Sequence, residues 1–120
     1  MQKLLTAAHR QQMLANGRVN AERIQIDGNT VDHHPVVKLF TPWAGCTWLL
    51  SELDPENPDI AFGLCDLGMG CPELGNVSLS EIESVRGPFG LRIERDQSFS
   101  ATKTLTAYAD EARSHQRILA

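Results

Sequence analysis

Residues 47–67 read TWLLSELDPENPDIAFGLCDL, and this stretch decides the fold of the chain. Two apolar runs, residues 47–54 and 60–67, are joined by a connector that holds two prolines and an asparagine. Turn-forming residues between two apolar runs predict an antiparallel β-hairpin. Because both faces of this hairpin are apolar near its middle, we expect it to lie at the centre of a sheet.

The register of the hairpin follows from the position of its turn. A hairpin symmetric about Asn57 predicts four cross-strand pairs: Leu50 with Leu64, Glu52 with Phe62, Leu49 with Cys65, and Leu53 with Ala61. A slip of one residue would exchange the two faces, so the register determines which side chains enter the core.

Weaker signals extend the sheet on both sides of the hairpin. Residues 36–40 are β-branched and aromatic and lie between prolines, which predicts a strand. Residues 76–79 predict another strand, and residues 91–96 alternate apolar and charged side chains in the manner of an edge strand. Four or five strands are therefore expected.

Helices are predicted at both ends of the chain and after the fourth strand. Thr6 caps a helix over residues 7–16, which Asn16-Gly17 is expected to end, and residues 19–26 predict a second short helix. Ser80 and Glu83 have the spacing of a capping box, which predicts a short helix up to Arg86. Thr104 caps a last helix with one apolar face, made of Leu105, Tyr108, Ala109 and Ala112.

The order of these elements predicts the α+β class: a small antiparallel sheet of four to five strands packed with N-terminal, short middle and C-terminal helices. The chain has 120 residues and shows neither a linker nor a repeat, so residues 1–120 are expected to form a single domain. A content of 42% hydrophobic and 22% charged residues is typical of globular proteins and argues against disorder.

The sequence gives no sign of a membrane segment or a secretion signal. The longest uncharged stretch, residues 39–51, is short and interrupted by proline and glycine, and the first twelve residues lack a continuous apolar run. Three cysteines in a chain of this size are expected to be reduced thiols. We therefore expect a cytoplasmic protein with no membrane partner.

Charge is unevenly distributed along the chain. All 11 lysines and arginines lie outside residues 39–85, whereas 8 of the 15 acidic residues lie inside them. The middle of the chain therefore carries −8 and the flanks carry 11 − 7 = +4, which gives the net charge of −4. An uneven distribution of charge gives information about binding partners and solubility, and little about the fold.

This acidic middle also contains two tryptophans, which are frequent anchors of protein interfaces. Trp43, in a Pro-Trp-Ala-Gly turn, is expected to be exposed, whereas Trp48 is typical of a strand core. An aromatic anchor with an acidic rim predicts docking to a basic protein surface. The expected partner-binding residues are Trp43, Glu52, Asp54, Glu56, Asp59, Asp66 and Glu73.

An enzymatic alternative places a metal ion on the carboxylates. A hydrolase or nuclease that uses Asp54, Asp66 and Glu73 as ligands requires these side chains to converge within about 5 Å. The cysteines Cys46, Cys65 and Cys71 and the pair His33-His34 lack the short paired spacings of zinc sites. Nucleophilic catalysis would pair Cys46 or Cys65 with His33 or His34, but no sequence signal of an oxyanion hole lies beside either thiol. We therefore expect no bound metal, cofactor or catalytic residue.

A third hypothesis is a DNA-associated accessory domain. It requires the first and last helices to pack together, so that their basic residues form one face against phosphates. These residues are Lys3, Arg10, Arg18, Arg23, Arg113 and Arg117. The oligomeric state stays open.

Several quoted segments resemble one known family. These are PVVKLFTP (35–42), CTWLLSELD (46–54), AFGLCDLG (61–68), PELG (72–75), SLSEI (78–82) and the helix over residues 105–112. Together they resemble the bacterial domain-of-unknown-function 2958 family over nearly the whole chain. Cys71 departs from the bulky apolar residue expected in relatives, which argues further against a metal site.

The resemblance implies a context more than a chemistry, because such proteins look like cargo of plasmids, integrative elements and phages. No catalytic residues are carried over from it. The leading hypothesis is therefore a small non-enzymatic binding or accessory protein of a mobile element, which acts through contacts with a host or element-encoded protein, including counter-defence. This step is an analogy from context, since a family alone does not establish function.

Overall fold

The structure is a computed structural model that describes residues 4–120, which form helices on both faces of an antiparallel sheet. The elements are α1 (Ala7–Ile26), β1 (Val37–Phe40), β2 (Thr47–Leu53), β3 (Ile60–Asp66), β4 (Glu73–Ser78), α2 (Leu79–Ser84), a 3-10 turn (Pro88–Gly90), β5 (Glu94–Arg95) and α3 (Leu105–His115). The strand order is β4-β3-β2-β1-β5, so the predicted α+β class and the central hairpin are confirmed.

The two faces of the sheet carry different helices. Met13 of α1 and Leu79 and Ile82 of α2 join one cluster, in which Trp48 and Leu50 are the central strand residues. The other cluster joins Leu49 and Leu64 to the apolar face of α3 that the sequence predicts, Leu105, Tyr108, Ala109 and Ala112. We call these the α2 face and the α3 face of the sheet.

A β-bulge at Ser51 changes the predicted register of the hairpin. Near the turn, Glu52 pairs with Phe62 and Leu53 with Ala61, as symmetry about Asn57 predicts. Beyond Ser51, however, each pair is shifted by one: Leu49 lies opposite Leu64 and Leu50 opposite Gly63. The predicted pairs of Leu50 with Leu64 and of Leu49 with Cys65 are therefore wrong, because the extra residue on β2 has no partner on β3.

Helix α1 is one continuous helix rather than the two short ones predicted. It begins after Thr6, whose side chain forms a capping box with His9, and it runs through Asn16-Gly17 to Ile26. Gly17 does not end the helix because it packs against β2, where a Cβ would overlap the carbonyl oxygen of Leu53. Asn16 is buried beside it and donates from Nδ2 to the Ser51 carbonyl at 2.9 Å.

Other boundaries move by a few residues. β4 begins at Glu73 instead of residue 76, and α2 is capped by Ser78, which accepts from the Glu81 amide, instead of Ser80. The predicted edge strand over residues 91–96 shortens to Glu94–Arg95 beside β1. The Thr104 cap of α3 is confirmed. No helix within residues 4–120 combines the length and the apolar character needed to cross a bilayer.

Candidate functional sites: a tryptophan pocket and a glutamate cleft

A concave apolar site of about 440 Å³, which we call the tryptophan pocket, opens on the α2 face. Its walls come from the loop after β1, from β2, β4 and α2, and from the segment before β5. The lining residues are Thr41, Trp43, Ala44, Cys46, Trp48, Val77, Ser78, Glu81, Ile82, Val85 and Ile93. The volume is in the range of about 300–1,000 Å³ that is usual for ligand sites.

Trp43 is half-buried in this pocket, so the prediction that its turn exposes it is wrong. Gly87 lies directly against the indole ring, where any Cβ would overlap ring atoms. This close approach holds Trp43 as a wall of the pocket. Trp48 is buried, as predicted for a strand residue.

Carboxylates stand at the edge of the tryptophan pocket. Glu81 lines it, and Asp59 accepts hydrogen bonds from the Ser78 hydroxyl at 2.7 Å and from the Ser80 amide at 2.9 Å. The bonds from Ser78 and Ser80 lower the pKa of Asp59 below its ordinary value, so Asp59 is ionised at neutral pH. Glu73, an exposed residue opposite Cys65, faces the same side of the sheet.

Phe89 is a fully exposed aromatic residue in the turn that follows α2. Its backbone is left-handed, with φ 58° and ψ 24°, a conformation that costs a bulky residue about 1–2 kcal/mol. The turn is closed by a hydrogen bond from the Gly87 amide to the Leu91 carbonyl at 2.7 Å. Since Gly87 contacts Trp43, the turn that carries Phe89 packs against one wall of the pocket.

A second concave site, the Glu52 cleft, lies where α1 passes the end of β2 that β1 does not reach. Its volume is about 350 Å³, and an adjoining cleft of about 230 Å³ shares Asn20, Ile24, Glu52 and Phe62 with it. The residues that line the Glu52 cleft are Asn20, Ile24, Thr30, Val31, Asp32, His33, Ser51, Glu52, Phe62, Leu74, Leu105 and Thr106.

Glu52 is half-buried and held by Asn20, whose Nδ2 donates to Glu52 Oε2 at 2.7 Å. Asn20 is fixed in turn by Val31, whose amide donates to Asn20 Oδ1 at 2.7 Å. Burial raises the pKa of Glu52 above its ordinary value and outweighs the opposing effects of the Asn20 bond and of nearby His33.

His33 also lines the Glu52 cleft, and its ring nitrogen Nε2 is buried without a hydrogen-bond partner in the described part of the chain. An unpartnered buried polar atom is destabilising by about 1–3 kcal/mol. Such atoms are rare in folded proteins and mark strain or a binding role.

The remaining predicted binding residues support the local backbone. Asp54 accepts from the Glu56 amide at 2.9 Å in the hairpin turn, where Glu56 is exposed. Asp66 is buried and accepts from the amides of Gly68 at 2.9 Å and Ile118 at 3.0 Å. The seven predicted residues are thus divided into three groups: Trp43, Asp59 and Glu73 belong to the α2 face, Glu52 and Asp66 to the α3 face, and Asp54 and Glu56 to the hairpin turn.

The carboxylates of the hydrolase hypothesis do not converge. Asp54 follows β2 at the hairpin turn and Asp66 ends β3 at the opposite end, which the seven-residue strand places about 20 Å away at roughly 3.3 Å per residue. Glu73 is on the other face from Asp66. Among residues 4–120, no group of three or more His, Cys, Asp or Glu side chains is arranged to hold a metal ion.

The structure also bears on the cysteine-nucleophile and DNA-binding alternatives. Burial raises the pKa of the Cys65 thiol to about 11, so it is not a thiolate at neutral pH, and it faces away from His33. Helices α1 and α3 pack in different clusters on opposite faces of the sheet, so their arginines do not form one packed basic face. Lys3 lies outside the described residues.

Three close ion pairs of the described residues lie outside the acidic middle of the chain. Those formed within residues 4–120 join Lys38 to Asp96, Lys103 to Glu111, and Arg113 to Asp110. Each of these residues lies outside residues 39–85. Arg10 is near enough to Asp59 to lower the pKa of its carboxyl, and His33 acts in the same direction on Glu52, but neither carboxylate forms a close ion pair within residues 4–120.

Sequence reasoning missed Phe89, His33, Asn20 and Glu81 as members of these sites. The only local signal for Phe89 is the run Gly-Pro-Phe-Gly, in which a large aromatic residue interrupts turn formers. His33 and Asn20 carry no comparable signal, because the cleft joins segments that are far apart in the sequence.

The sequence model of the family described as "Protein of unknown function (DUF2958)" matches residues 4–119, which is nearly the whole chain. Curated proteins and solved structures gave no significant match.

Proposed function

The chain belongs to the DUF2958 family of proteins of unknown function, and we propose that it is a small non-enzymatic protein that binds a basic segment of a partner protein. In this proposal the protein acts in the cytoplasm and is encoded by a plasmid, integrative element or phage. The partner is a host or element-encoded protein. The acidic, aromatic surface used for binding centres on the tryptophan pocket.

The observation that carries this proposal is an apolar pocket with two tryptophans in its walls and, at its edge, carboxylates that form no close ion pair within residues 4–120. Trp43 and Trp48 offer the large, rigid contact area typical of interface hot spots. Glu81 and Asp59 supply negative charge that no ion pair within residues 4–120 cancels. The best occupant is therefore an apolar side chain with lysine or arginine beside it.

Phe89 supports the same surface from outside the pocket. A bulky residue in a left-handed turn is destabilising, and strain of this kind is typical of functional positions. Full exposure of the ring adds nothing to the stability of the free chain. Both features fit an aromatic anchor that becomes buried only in a complex.

The test begins with affinity purification from the native host and identification of the bound protein. Direct titration follows, because Trp43 and Trp48, the two tryptophans of the chain, both line the pocket and their fluorescence reports its occupation. We expect Phe89→Gly and Glu81→Gln each to weaken the affinity by about tenfold or more, as for hot-spot and charged contacts.

Phe89→Gly is informative because the variant is expected to fold at least as stably as the wild type. Relief of left-handed strain contributes about 1–2 kcal/mol, against about 0.4–1 kcal/mol for the greater freedom of glycine in the unfolded chain. Matched controls are Ile26→Ser, another exposed apolar residue, and Glu22→Gln, another exposed carboxylate. A partner that bound all four variants with equal affinity would refute the proposed surface.

A further inference from the structure

The Glu52 cleft is separate from the tryptophan pocket and opens on a different part of the molecule. We propose that this cleft is a binding site for a small organic cation, an amine or amidine carried on an apolar body of about one ring. The ligand's N–H groups donate to Glu52, and its apolar body packs between α1 and the α3 face of the sheet.

The polar floor of the cleft is fixed before any ligand enters. Asn20 occupies Oε2 of Glu52, and among residues 4–120 no donor reaches Oε1. Asn20 is itself held by Val31 through both atoms of its amide. A carboxylate oriented in this way presents one acceptor oxygen to the cleft without reorganisation, which favours binding.

Charge selects a cation over an anion. The cleft contains the carboxylates of Glu52 and Asp32, and its lining among the described residues includes neither lysine nor arginine. The N-terminus of α3, which would otherwise attract an anion, is already satisfied because the Thr106 amide donates to Asp32 Oδ1 at 3.1 Å. Burial strengthens the attraction of Glu52 for a positive group.

His33 supplies an independent sign that the cleft lacks a component. His33 lines the same space, and its Nε2 is buried and has no partner in residues 4–120. We assign the partner of His33 to a polar group of the ligand that enters the cleft beside Glu52.

The walls and the volume limit the size of the ligand. Ile24, Phe62, Leu74 and Leu105 surround the polar floor with apolar surface. The volume of about 350 Å³ is near the lower end of the usual range for small-molecule sites, about 300–1,000 Å³. A benzyl or short alkyl body fits this space, whereas a folded partner domain does not.

The test uses benzylamine as the probe and benzyl alcohol as its uncharged counterpart, with binding followed by NMR chemical shifts of the full chain. Saturable benzylamine binding is expected, with shifts at Glu52, Asn20 and His33. Glu52→Gln is expected to weaken it by about tenfold or more, through loss of a charge-assisted hydrogen bond. Glutamine keeps an acceptor for Asn20, and a native-like NMR spectrum checks the fold of the variant.

Glu56→Gln is the matched control, since it removes the same charge from an exposed turn outside the cleft and is expected to bind benzylamine as the wild type does. The proposal is overturned if benzylamine binds no better than benzyl alcohol, if benzoate binds better than benzylamine, or if Glu52→Gln leaves the affinity unchanged. These outcomes do not depend on the tryptophan pocket, because Glu52→Gln leaves the tryptophan environment untouched.

Discussion

Single residues at close contacts decide the packing of this molecule. Gly17 is in the interior of α1, where glycine is normally less favourable than alanine by about 1 kcal/mol. It is retained because the helix backbone approaches β2 at this point so closely that a Cβ would overlap the Leu53 carbonyl oxygen. Gly87 plays the same part under Trp43, and through that contact it shapes the tryptophan pocket.

Gly17→Ala therefore has opposite predictions from helix propensity and from packing. Propensity alone predicts a gain of about 1 kcal/mol. Overpacking against a backbone carbonyl is typically destabilising by about 1–3 kcal/mol, and more where the neighbour is unable to move. We expect a net loss of about 2 kcal/mol in the free energy of unfolding, measured by urea denaturation.

Gly75→Ala serves as the control for Gly17→Ala, because a Cβ at Gly75 meets no atom within 4 Å. It should change the stability by about 0.5 kcal/mol or less, as is usual for substitutions without a structural consequence. A stabilised Gly17→Ala variant would show that α1 does not contact β2 as described.

At the scale of elements, the contact between α1 and β2 explains the bulge in the hairpin. β1 pairs with residues 47–50 of β2 and then ends, so that α1 occupies the place beside Ser51 and Leu53. The bulge at Ser51 puts Leu50 and Leu53 on the same face of the sheet. Asn16 donates to the Ser51 carbonyl, so a helix side chain replaces a neighbouring strand as its partner.

Asn16→Ala tests this arrangement. The variant leaves the buried Ser51 carbonyl without the Asn16 donor, and we expect the free energy of unfolding to fall by about 1–3 kcal/mol. Gln12→Ala is the control, because Gln12 donates to Asn16 Oδ1 at 2.9 Å but is exposed. We expect this variant to lower the free energy of unfolding by about 0.5 kcal/mol or less. Equal stability of the two variants would contradict a structural role of Asn16.

At the scale of the whole molecule, the free energy of unfolding depends on pH, because folding shifts the pKa values of several carboxyl groups. The pKa of Glu52 is raised in the folded state from an ordinary value of 4.5, so the folded protein holds this proton more tightly than the unfolded chain does. The associated stability is fully present below about pH 4.5 and is lost as the pH rises through the raised pKa. The pKa values of Asp59 and Asp96 are lowered from 3.8 in the folded state. Their contribution to stability is therefore present above pH 3.8 and is lost as the pH falls through the lowered pKa values.

The difference in unfolding free energy between Glu52→Gln and the wild type is therefore expected to depend on pH. It should shift in favour of the variant as the pH rises from 4.5 towards neutrality, because glutamine does not ionise. Denaturation of both proteins at several pH values measures this difference. A difference that stays constant, or that shifts towards the wild type, would contradict the raised pKa.

Retention of a carboxylate where the fold disfavours its charge is consistent with a binding role for the Glu52 cleft. Natural sequences break local rules of stability mainly at functional positions. Phe89, exposed and left-handed, breaks such a rule at the other site.

The sequence by itself determined the features that depend on local patterns. The two apolar runs on either side of residues 55–59 predict the hairpin and its central place, and the cap at Thr104 with its apolar stripe predicts α3; all of these are confirmed. The acidic middle is likewise a property of the sequence alone.

Only the tertiary structure decided whether Asn16-Gly17 ends a helix, which strand pairs lie beyond Ser51, and where Glu52 meets His33. Each of these depends on contacts between segments that are distant in the sequence: the Leu53 carbonyl against Gly17, the Ser51 carbonyl against Asn16, and α1 beside the end of β2. The buried stripe of α1 is made of Met13, Asn16, Gly17 and Asn20, so hydrophobic periodicity does not reveal it. Local sequence preferences are enough to predict helices and strands. The role of a buried polar residue or glycine, by contrast, depends on the distant segment against which it packs.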